Sequence, residues 1–67
     1  MVIEEILRLE SIYINKYNKG PTRIIISKTR LAVYKREKDI SPGEKIDYIH
    51  GMKVVIDEQA KDKIRVL

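Results

Sequence analysis

Residues 20–38 read GPTRIIISKTRLAVYKREK, and this segment joins the pattern of a buried strand to a run of positive charge. Ile24, Ile25 and Ile26 follow one another, so a strand over residues 22–27 has no polar face. Strands of this kind are usually buried on both sides. We therefore predict that residues 22–27 form an inner strand of a sheet and that both faces of this strand are covered.

The residues after this strand fit two structures. Ser27 is a typical helix N-cap, and the segment 28–37 suits a short helix. Leu31 and Val33 also alternate as they would in a strand. We predict the helix and keep the strand as the alternative.

Residues 2–18 have the pattern of an amphipathic helix. The apolar side chains fall in an arc about 160° wide, whereas packing on a sheet normally uses roughly 100°. Asn18, Gly20 and Pro21 then stop the helix, and Gly20 is suited to the left-handed cap. The surplus apolar arc predicts that this helix also contacts a second copy of the chain.

Two residues interrupt the pattern of this helix. Glu10 lies inside the apolar arc, and Ile12 lies on the polar face. Together with Leu9 and Tyr13 they form a candidate oligomer or partner interface, in which Glu10 would meet a basic group of the other chain. The alternative is that Glu10 reaches water at the edge of the helix contact and that Ile12 is a single exposed apolar residue.

The C-terminal half predicts a loop followed by short strands. A proline–glycine pair indicates a turn within a loop over residues 38–45. Strands are predicted over residues 46–49, 52–57 and 63–67, with the last two joined as an antiparallel hairpin. The elements together predict a single α+β domain over residues 1–67, with two helices packed on a small sheet of three or four mostly antiparallel strands.

The positive charge of the chain is concentrated in its middle. The net charge is +4 over 67 residues, and residues 16–38 carry eight lysine or arginine side chains against one glutamate. Tyr17 and Tyr34 lie in this basic segment, and such mixtures can combine phosphate contacts with base stacking. One prediction is nucleic-acid binding, and the other is a solvated surface without a ligand. The candidate anion contacts are Lys28, Arg30, Lys35, Arg36 and Lys38.

The residues that most enzyme and metal sites need are scarce. The chain has no cysteine, one histidine (His50) and three widely separated glycines. Nucleophilic catalysis needs a base beside the nucleophile, and metal sites need a cluster of ligands. We therefore expect no enzyme activity, no cofactor and no metal. No apolar run reaches the ~18 residues of a membrane helix, so we also expect no membrane partner and a cytoplasmic location.

The order of the elements resembles a known family. The segments PTRIIISKTRLAVYK and IHGMKVVIDEQAKDKIRVL give a strand, a short helix, a loop, a strand led by glycine, a turn and a final strand. Over residues 20–67 this order is similar to the peripheral-domain core of tailed-phage major capsid proteins. The matching positions are Pro21, Thr22, Ile24, Ile25, Ile26, Gly51, Val54, Val55, Ile64 and Val66. The resemblance implies a small phage or prophage protein of related fold, since 67 residues do not hold the other parts of a capsid subunit.

These observations favour a non-enzymatic protein that acts by protein–protein interaction. A small domain without disulfides or metal gains stability when it buries more surface in an oligomer. We expect a homodimer or higher oligomer that also binds an unidentified protein of a host cell or a virion. Nucleic-acid binding through residues 16–38 is the alternative. For a phage protein, the location would be the host cytoplasm or the virion.

Overall fold

The computed structural model describes residues 1–60 and 63–67. Within these residues the chain forms two α-helices, a four-stranded sheet and one 3-10 turn, which confirms the predicted α+β fold. In chain order the elements are α1 (Val2–Tyr17), β1 (Arg23–Ile26), α2 (Lys28–Glu37), β2 (Tyr48–Ile49), β3 (Met52–Ile56), the 3-10 turn (Glu58–Ala60) and β4 (Arg65–Val66).

The end of α1 is set by Asn18 and not by Gly20. Asn18 adopts the left-handed conformation with φ of 57°, and its N–H donates a hydrogen bond to the carbonyl of Ile14 at 2.8 Å. Asparagine tolerates this region of backbone space better than most residues, so the cap forms two residues earlier than predicted. Gly20 instead lies in the link between α1 and β1.

Residues 28–37 form a helix, which decides between the two predicted structures. The hydroxyl of Ser27 accepts a hydrogen bond from the N–H of Arg30 at 3.1 Å, so Ser27 is the N-cap. Tyr34 is buried, and Leu31 packs against the core one turn earlier. The helix is favoured because residues three positions apart reach the core from one helix face.

The four strands lie in the order β2-β3-β1-β4. β1 and β3 run parallel, with Ile24 opposite Val54 and Ile26 opposite Ile56. The other two pairings, of β2 with β3 and of β4 with β1, are antiparallel. The sheet is therefore mixed, and its longest pairing is the parallel one, whose connection includes α2.

The predicted hairpin between residues 52–57 and 63–67 is wrong. β3 has β2 on one edge and β1 on the other, so β4 pairs with the free edge of β1. The hairpin instead joins β2 to β3 through a two-residue turn, in which His50 and Gly51 have positive φ of 48° and 79°. Turns of this kind match the twist of the two strands. Within the predicted connection, residues 61–62 lie outside the described residues.

Both helices cover the same face of the sheet. Ile24 and Ile26 point toward the helices and are fully buried, each 0% exposed. Ile25 points to the opposite face and stays partly exposed. The prediction that both faces of this strand are covered is wrong, because α1 packs beside α2 and leaves the other face open. The remaining core residues are Val2, Ile6, Tyr34, Ile49, Met52 and Ile64.

Two polar contacts join the helices. The carboxylate of Glu37, at the end of α2, accepts hydrogen bonds from the N–H groups of Val2 and Ile3 at 2.9 and 3.0 Å. The guanidinium of Arg30 lies 3.2 Å from the carboxylate of Glu5. The first contact satisfies backbone donors that have no partner within α1, so α2 supplies the N-terminal cap of α1.

Candidate interaction surfaces

A shallow apolar groove runs between the C-terminal half of α1 and the edge strand β4. We call it the α1 groove, and residues 64–67 form one of its walls. The residues of α1 that line it are Leu9, Ile12, Tyr13, Lys16 and Tyr17. Because β4 is the last strand of the sheet, no further strand among the described residues covers this side.

Aromatic contacts hold the end of the α1 groove in place. The rings of Tyr13 and Tyr17 lie one helical turn apart, with centroids 4.6 Å from each other. The ammonium of Lys16 lies 5.3 Å from the centroid of Tyr17, within the range of a cation–π contact. Tyr17 therefore contacts both Tyr13 and Lys16 at this end of the α1 groove.

The structure brings three of the four predicted interface residues together. Ile12 is exposed at the rim of the α1 groove, and Leu9 and Tyr13 are partly buried along it. Glu10 lies elsewhere, since its carboxylate is 2.6 Å from Nδ1 of His50 in the β2–β3 turn. The carboxylate of Glu10 therefore has a polar partner within the chain, and its predicted contact with a basic group of another chain stays a prediction.

Three of the five predicted anion contacts are engaged within the chain. The ammonium of Lys28 lies 2.9 Å from the carboxylate of Glu58, and this hydrogen bond and the charge of Glu58 raise the pKa of Lys28. Arg30 contacts Glu5, and Lys35 donates a hydrogen bond to the carbonyl of Pro42 at 3.2 Å. These contacts leave less of the basic segment for a polyanion than its charge suggests.

Three of the five predicted anion contacts line a second groove, along the outer side of α2. Lys28, Lys35 and Arg36 line it, over an apolar floor that includes Leu31 and Pro42. Lys38 is exposed beyond the end of α2 and does not line this groove. The prediction that residues 16–38 bind nucleic acid stays a prediction.

A third surface was missed by the sequence analysis. The sheet face opposite the helices, which we call the open face, exposes Tyr48, Lys53, Val55 and two arginines of β1 and β4. The alternation of β3 indicates from the sequence alone that Lys53 and Val55 share one side. No sequence signal showed that β1 and β4 add Arg23 and Arg65 to that side, because this depends on strand order.

The described part of the chain contains no group of three or more histidine, cysteine, aspartate or glutamate side chains that could hold a metal ion. Within the same residues, neither helix is long and apolar enough to cross a membrane. Comparisons of the chain with protein-family models, with curated proteins and with solved structures found no match. The resemblance to capsid peripheral-domain cores therefore stays a prediction.

Proposed function

We propose that this protein is a non-enzymatic interaction module that pairs with a second copy of itself through the outer side of α1. The observation that carries the proposal is the exposure of Ile12, 56%, at the rim of the α1 groove. Tyr17 and Leu67 at the same groove are about half exposed. Apolar side chains at the rim of a groove gain free energy when another surface covers them.

The charges of α1 favour a second copy as the occupant. Glu4, Arg8, Ile12 and Lys16 are spaced by four residues, so they form one row along the helix, and all four are exposed. We call this row the outer stripe. If two α1 helices pack antiparallel about a two-fold axis, Glu4 of each copy lies beside Lys16 of the other. The outer stripe is therefore complementary to itself, and antiparallel helix dipoles add to the attraction.

The expected dimer is weak. One pair of helices and the adjoining groove form an interface at the small end of the range that specific complexes bury. We therefore expect monomer and dimer to exchange at micromolar concentrations. The partly buried Leu9 and Tyr13 would form the floor of the contact, and Ile12 would pack against Leu9 of the second copy, at that end of its α1 groove.

Sedimentation equilibrium at micromolar concentrations tests the proposal. The wild-type protein should show a monomer–dimer equilibrium, and Ile12→Glu should shift it to monomer because it places a charge in the apolar contact. Ile14→Glu is the matched control, since Ile14 is exposed to a similar extent but does not line the α1 groove. A wild-type protein that stays monomeric throughout this range would overturn the proposal, as would equal effects of the two substitutions.

A charge reversal tests the antiparallel arrangement. Glu4→Lys alone and Lys16→Glu alone each place like charges together across the two-fold axis and should weaken the dimer. The double variant Glu4→Lys/Lys16→Glu restores opposite charges and should recover most of the association. The difference in association between the single variants and the double variant should disappear at high salt, because salt screens exposed charges. Failure of the double variant to recover would contradict this packing of α1.

We also propose a phage origin and a second protein partner from the host cell or the virion. The matching positions of the capsid peripheral-domain core support the origin, and the exposed apolar groove supports the partner. Affinity purification of the tagged protein from its native host tests the partner. A specific partner should be retained by the wild type and by Ile14→Glu but lost with Ile12→Glu, whereas equal recovery with all three would count against the α1 groove as its site.

A further inference from the structure

The open face of the sheet carries two ordered rows of side chains. The strand register places Tyr48, Lys53 and Arg23 side by side across β2, β3 and β1. The next row places Val55, Ile25 and Arg65 side by side across β3, β1 and β4. All these side chains share the face that the helices leave uncovered, because residues opposite each other in a sheet point to the same side.

Within the described part of the chain, the cations of these rows have no side-chain partner. Arg23, Lys53 and Arg65 are exposed and make no side-chain hydrogen bond or ion pair with residues 1–60 or 63–67. The nearest acid on the same side of β3 is Asp57, whose carboxylate accepts a hydrogen bond from the N–H of Gln59 at 2.9 Å. Among the described residues, the two rows therefore hold three positive charges and no acidic side chain.

The placement of the charges works against the stability of the sheet. Arg23 and Lys53 are direct neighbours on adjacent strands. Like charges at such positions destabilise a sheet, and opposite charges stabilise it. An arrangement that is unfavourable for the isolated chain is favourable once an anion lies across both side chains.

The same face offers an aromatic ring and an apolar floor. Tyr48 is 64% exposed, and its ring lies beside Lys53 in the first row. Val55 is 38% exposed, and Ile25 is partly exposed next to it. Unstacked bases can lie flat on a sheet of this kind, with an aromatic ring below one base and cations along the backbone.

We propose that the open face binds single-stranded nucleic acid. Arg23, Lys53 and Arg65 contact phosphates, and the Tyr48 ring stacks on a base beside the floor of Ile25 and Val55. A second copy of the chain is a poor occupant, because the same three cations would face each other. A duplex is also a poor occupant, since its bases are not free to stack on Tyr48. Apart from the Tyr48 hydroxyl the two rows have no neutral polar side chain, so RNA and DNA should bind alike.

The open face adjoins the α1 groove at Arg65, which lines both. Tyr48, Lys53 and Arg23 lie on the side of the sheet away from the outer stripe of α1, so binding through this row does not require the dimer proposed above. The Ile12→Glu variant should bind a short oligonucleotide with an affinity within about twofold of the wild type.

The test is fluorescence anisotropy with labelled oligothymidylate and oligouridylate of equal length, and with a DNA duplex as comparison. Both single strands should bind at low salt, and the duplex should bind more weakly. The slope of log affinity against log salt should be about −2, since each phosphate neutralised on a single strand contributes about −0.7. No binding of either single strand at low salt, or equal binding of the duplex, would overturn the proposal.

Matched variants test whether the open face is the binding site. Tyr48→Ala should weaken binding about tenfold, and Tyr48→Phe should retain it, because stacking needs the ring and not the hydroxyl. Lys53→Gln/Arg65→Gln should weaken binding and flatten the salt slope. Lys35→Gln/Arg36→Gln removes the same charge from α2 and should leave the slope unchanged. Equal effects of the two double variants would overturn the open face as the site.

A competition experiment distinguishes binding of nucleic acid from binding of an acidic protein surface. Polyglutamate supplies negative charge without bases, so it should compete with oligothymidylate only at a large excess. Equal competition at equal charge concentration would show that the open face recognises charge alone and would overturn the proposal. All variants should keep the wild-type circular dichroism spectrum, since the substituted side chains lie outside the core.

Discussion

The side chain of Glu37 connects the end of α2 to the start of α1. Its carboxylate caps the first turn of α1 from the end of α2, across 35 positions of the chain. Those two backbone hydrogen bonds hold the pKa of Glu37 below its ordinary value. The acids of the first turn of α1 were visible in the sequence, but a cap supplied from another helix was not.

The cap predicts how stability changes in acid. Because the folded state lowers the pKa of Glu37, its contribution is complete above the ordinary glutamate pKa of about 4.3 and is lost as pH falls through the lower folded value. Glu37→Gln should therefore lower the melting temperature at pH 7. The difference in melting temperature between this variant and the wild type should become smaller below about pH 4. Thermal melts from pH 7 to pH 2 measure this. Glu44→Gln is the control, since the Glu44 side chain is exposed and has no partner among the described residues. A gap for Glu37→Gln that stays constant with pH would contradict the cap.

We predict that the three consecutive isoleucines contribute unequally to the free energy of unfolding. Ile24→Ala should cost about 2–5 kcal/mol of unfolding free energy, because the side chain is fully buried and leaves a cavity. Ile25→Ala should cost about 1 kcal/mol, since Ile25 lies on the open face and is partly exposed. Urea unfolding of both variants makes the comparison. Equal losses would show that the open face is covered in solution.

At the scale of elements, the β2–β3 turn depends on the backbone of Gly51. Its φ of 79° lies in the left-handed region, although a Cβ there would meet no atom within 4 Å. Gly51→Ala should therefore cost about 1 kcal/mol through backbone strain alone. A Cβ at Gly20 would also meet no atom within 4 Å, and Gly20 does not have a positive φ. Gly20→Ala should therefore change the free energy of unfolding by less than about 0.5 kcal/mol. Urea unfolding tests the pair, and a neutral Gly51→Ala would contradict the turn.

Most elements could be predicted from local signals, but their pairing could not. The amphipathic pattern of α1, the Ser27 cap of α2 and the glycine before β3 are all local, and each element formed near its predicted position. The hairpin was predicted from closeness in sequence. The structure instead pairs β1 with β3 and β4, across some 30 and 40 positions. Such pairings depend on which face the helices cover, and no single segment contains that information.

At the scale of the whole molecule, the core is small and its stability should depend on concentration. If α1 pairs with a second copy, the dimer stabilises the folded state by mass action. The melting temperature of the wild type should rise with protein concentration over the micromolar range. The Ile12→Glu variant should lose this dependence. A concentration-independent wild-type melt, measured by circular dichroism, would argue against the dimer.

The candidate surfaces were predictable to different degrees. Ile12 could be singled out because it breaks the periodicity of one helix. The open face could not, because it combines Arg23, Lys53 and Arg65 from three strands. The ion pairs of α2 were not predictable for a related reason: Lys28 and Arg30 contact the carboxylates of Glu58 and Glu5, which are far away in sequence.

The position of β1 at the centre of the sheet has a consequence for synthesis. Its partners β3 and β4 begin about 30 and 40 residues later in the chain. Ile24, Ile25 and Ile26 are therefore synthesised well before the strands that pair with them, and an unpaired apolar strand invites aggregation. The lysines and arginines on both sides of this tripeptide act as gatekeepers during that interval. We therefore expect part of the positive charge of residues 16–38 to limit aggregation of the nascent chain, independently of what the folded protein binds.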